Sequence, residues 1–108
     1  MSDDGLQLIR ENGERIHHDT YSALVEDIDP AQLRRLYQDL VVVRRIDTEA
    51  TALQRQGQLG LWAPLLGQEA AQVGSASAAT DLDFIVPSYR EHGVAYCRGA
   101  DPTTLLRQ

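Results

Sequence analysis

A chain of 108 residues with 43% apolar content can build one small domain and is too apolar for a disordered segment. Its formal net charge of −6 argues against general binding to nucleic acid or an anionic membrane, both of which need clustered positive charge. The single Cys97 rules out an internal disulfide and a cysteine-based metal cluster, no apolar run approaches the ~20 residues of a membrane helix, and the acidic Met1-Ser-Asp-Asp-Gly5 start lacks the pattern of a signal peptide, so a cytoplasmic protein is expected.

Residues 1–29 read as an acidic, irregular arm. Leu6-Gln-Leu-Ile9 suits a short strand or an extended arm, with Asn12-Gly13 as its turn. His17 and His18 stand in polar surroundings, with no second pair of ligands at metal-binding spacing, so no metal site is expected there.

The strongest element runs over 30–56. Asp29 suits an N-cap, Pro30 the first helical position, and Gln32 completes an Asp-x-x-Gln box. Leu33, Leu36, Leu40, Val43, Ile46, Ala50 and Leu53 recur every three or four residues, and Gly57 is a natural stop. At ~1.5 Å per residue such a helix spans roughly 40 Å. That exceeds what the rest of so short a chain covers, so part of the stripe is expected to pack on further protein.

Gln58 to Gly67 is an apolar connector with internal breakers, expected to cover a core or line a pocket. Gln68 to about Ala79 reads as a helix rich in small residues, with Gln68 and Glu69 in capping roles at its positive end. Thr80-Asp-Leu-Asp83 reads as a polar turn, and Phe84-Ile-Val86 as a short buried strand ended by Pro87. A short helix follows from Glu91 to about Arg98, stopped by Gly99, and Asp101-Pro102 repeats the cap logic of Asp29-Pro30. A helix that opens so near Gln108 suggests a truncated element.

The chemistry concentrates in Pro87-Ser-Tyr-Arg-Glu-His-Gly93. The guanidinium of Arg90 offers a planar fork that matches phosphate oxygens, and a helix start adds backbone N–H donors. The alternative is a structural salt bridge to a carboxylate. Tyr89 is either a donor to the same anion or a core aromatic with a satisfied hydroxyl. His92, with an ordinary pKa near 6.5, is either an acid, base or carboxylate partner or a structural residue. Trp62, the lone tryptophan, is either a pocket wall or plain packing. Ser88 has no base beside it in sequence and is not read as a nucleophile.

Three motifs in order carry a family resemblance: Gln56-Gly-Gln-Leu-Gly-Leu-Trp-Ala-Pro64, Gly67-Gln-Glu-Ala70 and Pro87-Ser-Tyr-Arg-Glu-His-Gly93, with Leu36-Tyr37 and Arg44-Arg45 upstream. Residues 30–108 resemble the N-terminal part of the α subunit of thiamine-diphosphate-dependent 2-oxo acid dehydrogenases, the E1 component, most nearly its bacterial pyruvate and branched-chain members. The resemblance implies an α/β, thiamine-diphosphate-binding fold of which this segment supplies a mostly helical part, with a long N-terminal helix and one or two short strands. It implies diphosphate contacts from Tyr89 and Arg90, a place by the reaction centre for His92, and a substrate-side position for Trp62. The implied reaction is oxidative decarboxylation of pyruvate or a branched-chain 2-oxo acid, with acyl transfer to the lipoyl group of E2. The implied partners are the E1 β subunit and E2, in an α₂β₂ heterotetramer. The Tyr-Arg-Glu-His-Gly form leans toward pyruvate.

The family's downstream Gly-Asp-Gly…Asn segment, which supplies the Mg²⁺ ligands, does not occur in these 108 residues, nor does the activating glutamate of the β subunit. The segment is therefore expected to hold one flank of the diphosphate and to be inactive by itself. The rival reading is a non-catalytic helical interaction fragment that docks on E1 subunits, and a third is a small helical domain whose Tyr-Arg-x-His is structural.

Overall fold

The computed structural model describes residues 5–107. It divides into two units, residues 1–30 and residues 31–108, each with its own contacts.

In the first unit, an isolated antiparallel bridge joins Ile9 to Arg15 around the turn at Asn12-Gly13. The Arg10 N–H donates to the Glu14 carbonyl (2.8 Å), the Ile16 N–H to the Leu8 carbonyl (2.8 Å), and the Asn12 side chain accepts from the Glu14 N–H (3.0 Å). A second local knot follows, in which His18 Nδ1 accepts from the Thr20 and Tyr21 N–H groups. It leads into a 3₁₀ turn, Ser22–Val25. None of the described residues of this unit is buried.

Four α-helices follow among the described residues: α1 (Pro30–Arg55), whose first residue closes the first unit, and then, in the second, α2 (Glu69–Ala78), α3 (His92–Cys97) and α4 (Pro102–Leu106). Helix α1 ends as its glycine demands. Gly57 adopts φ +75°, its N–H donates to the Gln54 carbonyl, and the Gln58 N–H reaches back to the Leu53 carbonyl (2.9 Å). This closes the last turn in the left-handed conformation that only glycine adopts without strain. The same pattern stops α3, where Gly99 and Ala100 donate to the Tyr96 and Ala95 carbonyls.

The core lies under the second half of α1. Ile46 and Ala50 pack with Leu59 and Trp62 of the connector, while Val43 packs with Leu65 and with Val73 of α2. Leu36, Leu40 and Leu53 are partly covered, whereas Leu33 stays exposed, so the apolar stripe is buried from its middle to its C-terminal end. On the wet face Arg45 Nε meets Glu49 Oε1 at 2.8 Å. Helix α2 packs against α3. The thiol of Cys97 is half-buried, and burial, helped by the charge of Asp39, pushes its pKa up to about 11.

The expected strands do not form. Among the described residues there is no strand, and Phe84-Ile-Val86 is neither paired nor buried, with Phe84 97% and Val86 93% exposed. A strand needs a neighbour for its backbone groups, and residues 84–86 make no backbone hydrogen bond among the described residues. The polar turn ahead of them does form: Asp83 Oδ2 accepts from the Thr80 N–H at 2.7 Å. Arg98 anchors that turn by donating to the Asp83 carbonyl (2.9 Å) and the Thr80 carbonyl (3.3 Å). No described helix is long and apolar enough to cross a membrane.

Candidate functional site

The loop Pro87–Glu91 is folded by its own polar residues. The Glu91 carboxylate accepts from the Ser88 N–H (2.6 Å) and the Ser88 hydroxyl (2.9 Å), which draws the chain into a turn just before α3. That hydroxyl bond leads the interactions that hold Glu91 below the usual carboxylate range. Helix α3 opens at His92, one residue after the expected Glu91, so Tyr89 and Arg90 stand just ahead of the helix start.

A buried glutamine holds this loop from behind. Gln72 of α2 donates from Nε2 to the Arg90 carbonyl (3.0 Å) and accepts the Gly93 N–H on Oε1 (2.8 Å). The backbone on both sides of His92 is thus pinned by one side chain. Gly93 is required for it: a Cβ there would sit 2.7 Å from Gln72 Oε1 and 2.9 Å from Val43 Cγ1. The reason is close approach and not φ, which is not positive at this glycine.

The connector is held by a second buried polar residue. Asp47 of α1 accepts on one oxygen, Oδ1, from Trp62 Nε1 (2.9 Å) and from the Leu65 N–H (2.9 Å). Trp62 is 5% exposed, and its ring stacks on the His92 ring with centroids 3.9 Å apart and planes 21° apart. Burial of His92 lowers its pKa from the ordinary 6.5, against the opposing charges of Asp47 and Glu91. Its Nδ1 is buried and has no hydrogen-bond partner among the described residues.

A third buried polar group, Glu69, ties α1 to the start of α2. Its Oε1 accepts from Arg44 Nε (2.7 Å) and its Oε2 from the Gly67 N–H (2.8 Å). The Arg44 guanidinium holds the Glu69 carboxyl below the usual carboxylate range. Glu69 keeps its expected place in the first turn of α2 and adds these ties, whereas the Gln68 side chain makes no cap bond; it accepts instead from Gln72 Nε2 (3.2 Å).

Tyr89 and His92 line one cleft of about 320 Å³, together with Leu61, Ala63, Pro87 and Glu91. Tyr89 is 70% exposed and is therefore not a core aromatic. The Arg90 guanidinium lies 5.2 Å from the centre of the Tyr89 ring and donates from Nη1 to the Pro64 carbonyl. No carboxylate of the described residues pairs with Arg90, so the structural salt bridge is not what holds it. Arg90 and Trp62 do not line this cleft; Trp62 stands behind His92. Among the described residues no group of three or more His, Cys, Asp or Glu could hold a metal ion.

Asp47 and Gln72 escaped the sequence reading, yet each left a signal. Val43, Ile46, Asp47 and Ala50 are the buried positions of α1, and Glu69, Gln72, Val73 and Ala76 those of α2. Both sets follow the i, i+3, i+4, i+7 pattern of one helix face. A polar residue on such a stripe must find partners when buried.

The sequence profile of the dehydrogenase E1 component matches residues 37–108. The 3-methyl-2-oxobutanoate dehydrogenase subunit alpha of Mycobacterium tuberculosis is 50% identical over 76 residues, which are 70% of this chain and 21% of that protein. The pyruvate dehydrogenase E1 component subunit alpha of Staphylococcus aureus is 40% identical over 86 residues, or 80% of this chain and 22% of that protein. The chain thus spans about a fifth of the length of these relatives. No solved structure matches it.

Proposed function

Because the chain belongs to the dehydrogenase E1 component family, we propose that residues 30–108 form the front of the thiamine-diphosphate-binding domain of an E1 α subunit, with residues 1–29 as an arm ahead of it. The proposed reaction is oxidative decarboxylation of a 2-oxo acid, pyruvate or a branched-chain one, with acyl transfer to a lipoyl group. The proposed setting is a cytoplasmic α₂β₂ heterotetramer with the E1 β subunit, working with E2.

The observation that carries this reading is the pinned loop. Gln72 fixes the carbonyl of Arg90 and the N–H of Gly93, so Tyr89, Arg90 and His92 leave the fold from a rigid base. The donors present suit one flank of a diphosphate. A guanidinium has five N–H donors, of which Arg90 directs one, on Nη1, to Pro64. The Tyr89 hydroxyl adds another donor. Glu91 brings a negative charge to the same cleft, but its carboxylate is engaged by Ser88. The diphosphate contact is therefore assigned to Arg90 and Tyr89 and not to the cleft as a whole. The metal that accompanies the diphosphate is assigned to ligands outside the described residues.

Thiamine diphosphate, when bound, supplies the electron sink for loss of carbon dioxide. This chain's own residues bind and orient. Arg90 and Tyr89 neutralise and position the anion. The Nδ1 of His92, buried without a partner, is a place to hold or deliver a proton. Trp62 backs the His92 ring on the side proposed to face substrate.

Arg90→Ala in the assembled enzyme tests the reading. Loss of a charge-assisted contact of ~1.5–3 kcal/mol raises the thiamine diphosphate concentration for half-activation roughly ten- to a hundred-fold. An unchanged requirement with a lowered melting temperature would make Arg90 structural.

A further inference from the structure

Trp62, His92 and Arg90 are not anchored separately. Asp47 Oδ1 receives Trp62 Nε1 and the Leu65 N–H, and so brackets Ala63-Pro64 between two bonds to a single atom. The bracketed stretch then contacts the loop at two points. The Trp62 ring lies flat on His92, and the Pro64 carbonyl accepts from Arg90 Nη1. Asp47 touches neither functional residue by hydrogen bond, yet both are seated on the piece of chain that it holds.

We propose that Asp47 is the positioning residue of this site, setting His92 through the Trp62 ring and Arg90 through the Pro64 carbonyl. The physical case rests on burial and on alternatives. Asp47 is 4% exposed, on the stripe of α1 that otherwise carries Val43, Ile46 and Ala50, where an apolar residue would pack without needing partners. A carboxylate in that place must be matched by donors, and the two it receives come from the connector. Removing it frees the connector at both bracketed ends, whereas removing Arg90 alone frees only its bond to Pro64.

Trp62 is the only tryptophan and sits on His92, so its emission reports the arrangement directly. A protonated imidazole stacked on an indole quenches it. The charged groups facing His92 are Asp47 from α1 and Glu91 from the loop ahead of α3, and both favour the protonated ring, whereas burial opposes it.

The experiment is a fluorescence titration of the 108-residue chain between pH 4 and pH 8, in the wild type and in Asp47→Asn, Asp47→Leu and His92→Gln. In the wild type, emission falls as the pH drops, with a midpoint below the ordinary value for histidine. Asp47→Asn keeps the accepting oxygen and loses the charge, so it keeps the amplitude and moves the midpoint to still lower pH. Asp47→Leu loses the amplitude because the indole leaves the ring, and His92→Gln loses it because the quencher is gone. A full wild-type amplitude in Asp47→Leu, or a lost amplitude in Asp47→Asn, would overturn the proposal. The second criterion stands even if Asp47→Leu does not fold.

The proposal takes its meaning from the active-site reading of Arg90 and His92, but its readout needs no cofactor. A failed cofactor titration beside a normal fluorescence titration would sink that reading alone, and the converse would sink this proposal alone.

Discussion

Two apolar stretches of this chain meet opposite fates. The connector 58–67 buries Leu59, Trp62 and Leu65 and exposes only Leu61 and Leu66 of its large apolar residues, while the segment 82–86 leaves Leu82, Phe84 and Val86 almost wholly in water. Hydrophobicity does not separate them. The difference lies in polar anchors. The connector is caught midway by Asp47, which takes a side-chain and a backbone N–H. The second stretch is anchored only near its ends, by Arg98 on the Thr80–Asp83 turn and by the Ser88–Glu91 pair. Between those ties nothing among the described residues receives its backbone. An apolar loop can be buried only where its peptide groups find partners. Where large apolar groups are left exposed as a contiguous patch, they mark a surface made for contact.

The largest effect expected from breaking this contrast belongs to Trp62→Ala. It empties a core position and removes a donor from Asp47, and should lower stability by about 3–5 kcal/mol in urea unfolding. Gly93→Ala comes next. Its methyl group must displace Gln72 or Val43, at about 1–3 kcal/mol. A Gln72→Ala background should relieve part of that loss, because one of the two clashing groups is then absent.

Acid probes the anchors together. Glu69 has a folded pKa below its ordinary 4.5, so its contribution is complete above that value and is lost as the pH falls through the folded one. His92 also has a lowered folded pKa, so its neutral ring contributes fully above 6.5. That contribution declines below 6.5, until the folded ring itself protonates. Both effects run the same way. The urea midpoint should fall from pH 7 to pH 4, and Glu69→Gln should flatten the part below 4.5. The smallest effect is Phe84→Ala. In this chain it should change stability by no more than about 0.5 kcal/mol, since nothing packs on the ring.

Much of the fold was legible in the sequence, because local rules govern it. Pro30 and Gly57 bound α1, Gly99 stops α3, and Pro102 opens α4. The pieces of the site were legible as residue types, but not their couplings. The spacing of 30 residues between Trp62 and His92 says nothing of a stacked pair. Nor does a polar residue on an apolar stripe name its partner, so Asp47 and Gln72 passed as part of a helix face. The buried strand at Phe84–Val86 was misread for a related reason. Composition records that a stretch is apolar, whereas burial depends on whether some other element meets its backbone.

Amide hydrogen exchange, residue by residue on the 108-residue chain, tests most directly whether buried polar anchors decide which apolar stretch is held. Exchange should be slow at Leu65, bonded to Asp47, and at Gly93, bonded to Gln72, with near-unprotected rates at Phe84, Ile85 and Val86. Protection at residues 84–86 equal to that at Leu65 would contradict it.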